Sequence, residues 1–274
     1  MLKRTGPLAP GVAFITGGAR GLGNAIAVSF AKEGARGVIL VDIQDEATFA
    51  QGKKNVEDIG CECLIVHANV TIEADMERAV AEAVRRFGQI DYAANFAGVL
   101  GFGTQVSDIN LEQYKKTIDV NTTGILLATK YEMRQMMKQS SHSGIESGRV
   151  EQRGSIVNCA SVNSALGFPG HAAYTASKHA VDGVTKCAAL EGRSHGIRVN
   201  AVSPGFLLTQ MIRPAVEEQH LENLWQDLEA RQGRSARFEE VGDVVAMMSV
   251  PRMSLVTGQN LFIDGGFTIN MGND

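Results

Sequence analysis

The chain has 274 residues, of which 44% are hydrophobic and 20% are charged, and its 26 basic and 30 acidic residues give a formal net charge of −4. This balance gives no reason to expect nucleic acid or an anionic membrane surface as a partner. No apolar run reaches the ~18–20 residues of a membrane span. The length suits one large domain or two small ones, and because residues 1–274 contain no linker or internal repeat, we expect a single domain.

The N-terminus and the cysteines indicate the compartment. The basic opening leads through one apolar run into a glycine turn, unlike a secretory signal peptide. Cys61, Cys63, Cys159 and Cys187 lack the density of a disulfide scaffold, so we expect a reduced, cytoplasmic protein. The pair at 61 and 63 supplies too few ligands for a metal ion, and no metal site is predicted. Cys159 is interpreted as buried packing.

Short apolar runs alternate with longer amphipathic segments along the chain. The runs cover residues 11–16, 37–42, 63–68, 90–95, 154–160, 197–203 and 260–264. Apolar residues at helical spacing fill the intervals 21–34, 45–59, 72–87, 111–138 and 173–194. Because consecutive residues within the runs are apolar, both faces of each strand are expected to be buried. This predicts an α/β fold with a doubly wound, seven-stranded parallel sheet and helices on both faces.

The helix predicted over 72–87 shows the pattern in most detail. Its apolar stripe consists of Met76, Ala79, Val80, Ala83, Val84 and Phe87. Thr71 is predicted as its N-cap and Gly88 as its stop.

Two other segments depart from the alternation of apolar runs and amphipathic segments. Residues 138–154 are polar and rich in Ser and Gly, which predicts a surface loop, whereas residues 206–240 are amphipathic and predict either a lid over a site or a covering helix pair.

A glycine-rich turn, "TGGARGLG" at 16–23, follows the first strand and opens the first helix. Glycines at 17, 21 and 23 permit a tight turn and a close approach of the backbone to a pyrophosphate, which the helix N-terminus then favours. The spacing differs from the usual G-x-G-x-x-G, so a glycine turn without a ligand stays an alternative. Asp42 ends the second strand, about 20 residues further on, where a carboxylate accepts hydrogen bonds from ribose hydroxyls and repels a 2′-phosphate.

These features leave the choice of dinucleotide open in one respect. Asp42 favours NAD(H), whereas Arg20 within the glycine turn offers a charge to the 2′-phosphate of NADP(H). We give Asp42 more weight, because a carboxylate beside a phosphate dianion costs affinity, while an arginine near the diphosphate serves either cofactor. A solvated carboxylate at a strand end is the alternative interpretation of Asp42.

Seven motifs in order resemble the short-chain dehydrogenases/reductases over essentially the whole chain. They are "TGGARGLG" (16–23), "NFAG" (95–98), Asn121 in "DVNTTG", Ser161 in "NCASVNSALG", "YTASK" (174–178), "SPGFLLT" (203–209) and "DGG" (264–266). The resemblance implies a Rossmann-like fold and an oxidoreductase, an alcohol dehydrogenase or ketoreductase acting on CH–OH with NAD(P). The insertion at 138–154 is similar to that of fungal secondary-metabolism members.

The resemblance also implies which residues hold the cofactor. These are Gly17, Arg20, Gly21, Leu22, Gly23, Asp42, Ile43, Asn69, Val70, Asn95, Ala97, Gly98, Tyr174, Lys178, Pro204, Gly205, Leu207 and Thr209. Asn69 departs from the family, which usually has Asp there. Its side-chain oxygen is expected to meet the adenine amino group.

Tyr174 and Lys178 lie four residues apart and are expected to share one face of a helix. A tyrosine phenol is a poor base at neutral pH, and a lysine ammonium beside it stabilises the phenolate. The resemblance makes Tyr174 the general acid/base, assisted by Lys178. Ser161 is expected to stabilise the substrate oxygen, and Asn121 to hold a relay water. A triad with His171 or His179 is rejected, because no G-x-S-x-G elbow is present.

The substrate and assembly are less constrained. Ser161, Val162, Phe168, Phe206 and Met211 are predicted to line an apolar pocket for a cyclic or polycyclic secondary alcohol or ketone. The alternative is that the apolar residues pack a covering helix. The resemblance implies a homotetramer formed through the helices at 111–138 and 173–194 and through the C-terminal strand. A non-catalytic nucleotide-binding sensor of the same fold is the alternative to an enzyme.

Overall fold

The apolar runs form parallel strands, as the pattern predicted. The computed structural model describes residues 7–101, 103–141, 150–210, 212–218 and 221–270. Within these ranges, seven parallel strands form one sheet in the order β3-β2-β1-β4-β5-β6-β7. The strands are β1 (Val12–Thr16), β2 (Gly37–Asp42), β3 (Glu62–His67), β4 (Tyr92–Asn95), β5 (Gly154–Cys159), β6 (Ile197–Pro204) and β7 (Asn260–Ile263). The order reverses direction between β1 and β4, and this switch point opens a crevice at the carboxyl ends of the strands.

Helices cover both faces of the sheet. They are α1 (Gly21–Lys32), α2 (Glu46–Glu57), α3 (Glu73–Phe87), α4 (Leu111–Ile118), α5 (Gly124–Met136), α6 (Ala172–Gly192), α7 (Arg213–Glu218), α8 (Glu222–Arg231) and α9 (Phe238–Ser249). Side chains of β1 alternate between the two resulting cores. Ala13 and Ile15 pack with residues of α1 and α9, whereas Val12 and Phe14 pack with residues of α3 and α5. The predicted doubly wound fold with two covered faces is therefore confirmed.

Three local predictions are corrected. Thr71 is not the cap of α3, because the helix begins at Glu73 and its N-cap is Ile72, while the Thr71 hydroxyl donates to Asn69 Oδ1 at 2.9 Å. Gly88 ends that helix with a φ of 84°, as predicted. The helix predicted over 111–138 is interrupted at Asp119–Thr123 by a π-helical turn, in which the Gly124 N–H bonds to the Asp119 carbonyl.

The third correction concerns α9, which was not predicted. Gly242 lies within this helix and permits its close contact with α1, since a Cβ there would lie 2.6 Å from Ser29 Oγ. Ser29 Oγ also donates to Asp243 at 2.8 Å. The segment predicted as a lid or covering helix pair contains α7 and α8, and Met211 lies outside the described residues. Residues 142–149 of the predicted 138–154 loop also lie outside them.

Candidate active site

A cavity of about 780 Å³ lies at the carboxyl ends of the strands, next to the switch point. Its wall is built from the turns after β1, β2, β3, β4, β5 and β6, together with residues of α4 and α6. Predicted site residues in this wall are Gly17, Arg20, Gly21, Leu22, Gly23, Asp42, Ile43, Asn69, Val70, Ala97, Gly98, Ser161, Tyr174, Lys178, Pro204, Gly205, Leu207 and Thr209. Residues that are far apart in sequence therefore share one continuous surface.

The glycine turn forms part of the cavity wall. Gly17 and Gly21 have φ angles of 68° and 56°, in the region that favours glycine. A Cβ on Gly23 would lie 2.1 Å from the Gly17 carbonyl oxygen, so only glycine fits without moving the backbone. Arg20, the N-cap residue of α1, makes no side-chain hydrogen bond to the first turn. The turn thus presents the N-terminus of α1 to the cavity, where an anionic group is favoured.

Asn24 supports this turn from behind, a role that the sequence analysis missed. Its Nδ2 donates to the Gly18 carbonyl at 3.1 Å and to the Gly52 carbonyl at 3.0 Å. Its Oδ1 accepts from Asn55 at 2.8 Å. The side chain ties the glycine turn to α2. An Asn in the first turn of a helix, whose side chain can bond nearby backbone groups, was the available sequence signal.

Asp42 is fixed at the rim of the cavity by backbone donors. Its Oδ2 accepts from the Ala19 N–H at 3.1 Å, and its Oδ1 accepts from the Ile43 N–H at 2.8 Å. The carboxylate is therefore oriented without a cationic partner in either bond. Ile43 beside it is 68% exposed, an apolar side chain at the cavity edge that a planar aromatic group would cover.

Asn69 and Val70 lie after β3 on the same side of the cavity. Asn69 Oδ1 accepts from both the N–H and the hydroxyl of Thr71, at 3.0 Å and 2.9 Å. These two bonds occupy the oxygen that the sequence analysis assigned to the adenine amino group. The Asn69 N–H donates to Asp75 at 2.9 Å, and this bond, ahead of the Arg78 guanidinium, lowers the pKa of the Asp75 carboxyl.

One face of α4 also contributes to the cavity, which the sequence analysis did not predict. The lining residues are Glu112, Lys115 and Lys116 of α4 and Asp119 at the start of the π-helical turn that follows it. They recur at i, i+3, i+4 and i+7, so a polar stripe at helical spacing was the available signal. Lys115 forms an ion pair with Glu112 at 2.9 Å.

Tyr174 and Lys178 lie on one face of α6, as the four-residue spacing predicted, and both reach the cavity. Lys178 is only 3% exposed. Its Nζ donates to the Cys159 carbonyl at 2.7 Å and lies 5.5 Å from the centroid of the Tyr174 ring. The ammonium is therefore held beside the phenol ring by the end of β5. Cys159 itself is half-buried in the cavity wall rather than in the core, which corrects its interpretation as packing.

Ser161 follows β5 and also lines the cavity. It is 7% exposed and caps the short 3₁₀ turn Val162–Ser164, with its Oγ accepting from the Asn163 N–H at 3.2 Å. Burial in this turn restrains the hydroxyl on the same wall as Tyr174. A phenol, a hydroxyl and an ammonium on one wall are groups that can transfer a proton and stabilise a developing oxyanion.

Asn121 and Asn95 lie behind the cavity wall. Asn121, in the π-helical turn, bonds both the N–H and the carbonyl of Val99 at 2.8 Å and donates to Ser177 at 3.1 Å. It thereby joins the turn after β4 to α6. Single π-helical turns occur frequently at functional sites. Asn95 is fully buried and holds the end of β4 from within the protein.

Asn95 belongs to a buried polar network centred on Glu132. Its Nδ2 donates to Glu132 Oε2 at 2.9 Å and to Asn158 Oδ1 at 3.0 Å. Asn158 in turn donates to Thr185 of α6 at 3.1 Å. Burial raises the pKa of the fully buried Glu132 carboxyl to about 8, the bond from Asn95 opposing this shift. Its Oε1 has no hydrogen-bond partner among the described residues. The group is therefore a neutral acid at neutral pH.

The predicted substrate residues divide into two sets. Ser161 lines the cavity, whereas Val162, Phe168 and Phe206 are not among its lining residues. Val162 is 2% exposed, and the rings of Phe168 and Phe206 pack edge-to-face with their centroids 6.0 Å apart. Phe206 also contacts the rings of Trp225 and Phe267, at 5.7 Å and 4.8 Å. These aromatic residues join the turns after β5 and β6 to α8 and the C-terminal segment.

The residues of the cavity fit a dinucleotide. A close-packed glycine turn and a helix N-terminus suit a diphosphate, and the fixed carboxylate of Asp42 suits ribose hydroxyls. Thr209 also lines the cavity, and its Oγ1 is buried with no hydrogen-bond partner among the described residues, so a polar group of a ligand would satisfy it. Fold and site together define an oxidoreductase that uses a nicotinamide dinucleotide.

Comparisons with known proteins agree with this class. The family model described as enoyl-(acyl carrier protein) reductase matches residues 17–268. The chain is 38% identical to the short-chain dehydrogenase fogB of Aspergillus ruber, over 94% of this chain and 97% of the relative. It is 35% identical to (+)-borneol dehydrogenase 2 of Salvia officinalis, over 94% and 89%. The crystal structure of levodione reductase, 31% identical, matches with a TM-score of 0.85 over 96% of this chain and 99% of that chain.

The chain belongs to the short-chain dehydrogenase/reductase family. The resemblance drawn from the seven motifs is thereby confirmed, as is the expected enzyme class of alcohol dehydrogenase or ketoreductase using NAD(P). Among the described residues, no helix combines the length and the apolar character that crossing a membrane requires.

Proposed function

We propose that the enzyme interconverts a secondary alcohol and a ketone with NAD(H), acting on a hydrophobic cyclic or polycyclic small molecule. The observation that carries this proposal is that Tyr174, Lys178 and Ser161 line the same cavity as the glycine turn. A proton-transfer group and a dinucleotide cradle in one cavity are what hydride transfer to a carbonyl requires.

The residues divide the work of this reaction. When bound, the nicotinamide dinucleotide supplies or accepts the hydride. Tyr174 gives a proton to the substrate oxygen in reduction and removes it in oxidation, with Lys178 stabilising the phenolate. Ser161 donates to the same oxygen as negative charge develops on it. Asn121 stays a prediction as the residue that holds a relay water, because it is fully buried and its side-chain amide already bonds Val99 and Ser177.

Asp42 supports NAD(H) as the cofactor. Its carboxylate is fixed by two backbone N–H groups, so it remains where a 2′-phosphate would be repelled. Arg20 lines the same rim and supports NADP(H) as the alternative. However, Arg20 is already near a carboxylate. It contributes, after the hydrogen bonds from Thr48, to lowering the pKa of Asp45.

The substrate class rests on apolar residues and on relatives. Leu207 and Ile212 line the cavity near Thr209, and the aromatic residues around Phe206 lie behind this wall. Two relatives are named for borneol and levodione, both cyclic compounds, which supports a cyclic alcohol or ketone. Phe168, Phe206 and Val162 stay predictions as substrate contacts.

The assembly and location that we propose are a cytoplasmic homotetramer. Leu126 of α5, Leu190 of α6 and Leu261 of β7 are 49%, 63% and 45% exposed. Large apolar side chains exposed on these elements are suited to burial between subunits.

Replacement of Tyr174 by Phe tests the proposed function. We expect Y174F to lose turnover by at least about 100-fold, the usual contribution of a positioned acid/base, while its dissociation constant for NADH stays near that of wild type. Initial rates are measured on a panel of cyclic alcohols and ketones with both NAD(H) and NADP(H). Turnover by Y174F at the wild-type rate would contradict the assignment, and a strong preference for NADP(H) would contradict the role of Asp42.

A further inference from the structure

The loop between β6 and α7 is held by one buried amide. Gln232 follows α8 and is 4% exposed. Its Oε1 accepts from the Phe206 N–H at 2.6 Å, and its Nε2 donates to the carbonyls of Phe206 and Arg234, each at 3.1 Å. Both backbone polar groups of Phe206 are therefore paired with one side chain, much as a neighbouring strand would pair them.

The residues on either side of Phe206 belong to the cavity wall. Gly205 and Leu207 line the cavity near Thr209. A Cβ on Gly205 would lie 2.1 Å from Gln232 Oε1, and a Cβ on Gly265 would lie 2.1 Å from the Gln232 carbonyl oxygen. The loop after β6, the end of α8 and the C-terminal segment thus meet at Gln232 with no free space between them.

We propose that Gln232 is a positioning residue, which fixes the loop of residues 204–209 in the shape that receives the nicotinamide end of the cofactor. This inference rests on the proposed function. Loss of the amide leaves the Phe206 N–H and carbonyl without their partner, so the loop leaves its position in the free protein. Cofactor binding must then restore the order of the loop, which weakens affinity.

The chain contains a matched control for this proposal. Gln139 makes the same set of bonds at the opposite end of the sheet, before β4 and β5. Its Oε1 accepts from the Ile90 N–H at 3.3 Å, and its Nε2 donates to the carbonyls of Ile90 and Arg153, at 2.7 Å and 2.5 Å. Replacing either glutamine removes equivalent bonds, but only one of them adjoins the cavity.

Trp225 provides a direct readout of the loop. It is the only tryptophan of the chain, is 9% exposed and lies 5.7 Å from the Phe206 ring between centroids. A change in the position of Phe206 therefore alters the surroundings of the single indole. Its emission is recorded for each free variant, before any cofactor is added.

The experiment compares Q232L and Q232N with Q139L and Q139N. NADH and NADPH are titrated into each full-length protein, and thermal midpoints are measured in parallel. We expect both Gln232 variants to raise the dissociation constant about tenfold and to change Trp225 emission, as a loop that must be reordered requires. The Gln139 variants are expected to lower the thermal midpoint comparably, with binding within about twofold of wild type. The Asn variants keep an amide that is one methylene too short, and they decide the outcome if the Leu variants fail to fold.

Two failures are distinguishable. If wild type binds neither dinucleotide, the proposed function is overturned and the positioning role falls with it. If wild type binds but the Gln232 variants bind equally well, only the positioning role is overturned. Equal weakening by the Gln139 variants would likewise refute it, because the effect would then be general destabilisation.

Discussion

The buried carboxyl of Glu132 should make the free energy of unfolding depend on pH. The Glu132→Gln substitution should remove this dependence. Glutamine has nearly the same shape, and its amide oxygen still accepts from Asn95. In the folded protein burial holds the Glu132 pKa at about 8, against an ordinary value of 4.5. Between these two pH values the folded carboxyl is protonated while that of the unfolded chain is ionised. Unfolding then releases a proton, and stability falls as the pH rises.

The size of the effect follows from the difference between the two pKa values. Each unit of difference is worth about 1.4 kcal/mol, so the wild-type protein loses about 5 kcal/mol of unfolding free energy between pH 4.5 and pH 8 through this group. Above pH 8 both states are ionised and the loss is complete. Glu132→Gln lacks this contribution, so its stability relative to wild type should increase steadily across that interval. The gain should level off above it.

Urea unfolding of both proteins at pH 5, 6, 7 and 8 measures this difference. Glu222→Gln is the control, since Glu222 is exposed on α8. The unfolding free energy of this control should change with pH in the same way as that of wild type. A difference between Glu132→Gln and wild type that does not change with pH would refute the reasoning, because it would mean that Glu132 is ionised in the folded protein.

Two further predictions concern the dinucleotide end of the cavity. Gly23→Ala places a Cβ 2.1 Å from the Gly17 carbonyl oxygen and should raise the dissociation constant for NADH by about tenfold or more, since the turn must move. Gly103→Ala, which meets no atom within 4 Å, should leave binding unchanged in the same titration. Asp42→Ser removes the carboxylate from the cavity wall that Arg20 also lines, and it should raise the ratio of kcat/KM for NADP to that for NAD about tenfold. An unchanged ratio would show that Asp42 does not select the cofactor.

The sheet and part of the candidate site were predictable because their signals are local. The apolar runs define the strands, and the spacing of Tyr174 and Lys178 places both on one face of α6. Three glycines after a strand predict the glycine turn. The position of Asp42 at the end of the next strand predicts that its carboxylate lies at the same edge of the sheet. Each inference needs only the period of a helix or strand and the fact that parallel strands end at one edge.

Other features depend on contacts between distant segments. A glycine is required at position 242 only because α9 packs against Ser29 of α1, and no pattern within α9 reveals that contact. Asn95 was predicted beside the cofactor, but its side chain turns inward because Glu132 and Asn158 offer acceptors there. Thr71 is a good cap by residue type, yet its hydroxyl donates to Asn69 instead. In each case the tertiary structure supplies a contact or hydrogen-bond partner that the local sequence does not reveal.

The bond from Lys178 to the Cys159 carbonyl has an electrostatic consequence. A buried ammonium needs a partner, and a carboxylate in that place would bring an equal and opposite charge that cancels most of its field at the phenol. The peptide carbonyl is an uncharged dipole, so it satisfies the donor while the full positive charge still acts across the 5.5 Å to the Tyr174 ring. Backbone at a strand end cannot be replaced by mutation of a side chain. Lys178 therefore supplies the charge, and the fold itself supplies the partner that holds this charge beside the phenol.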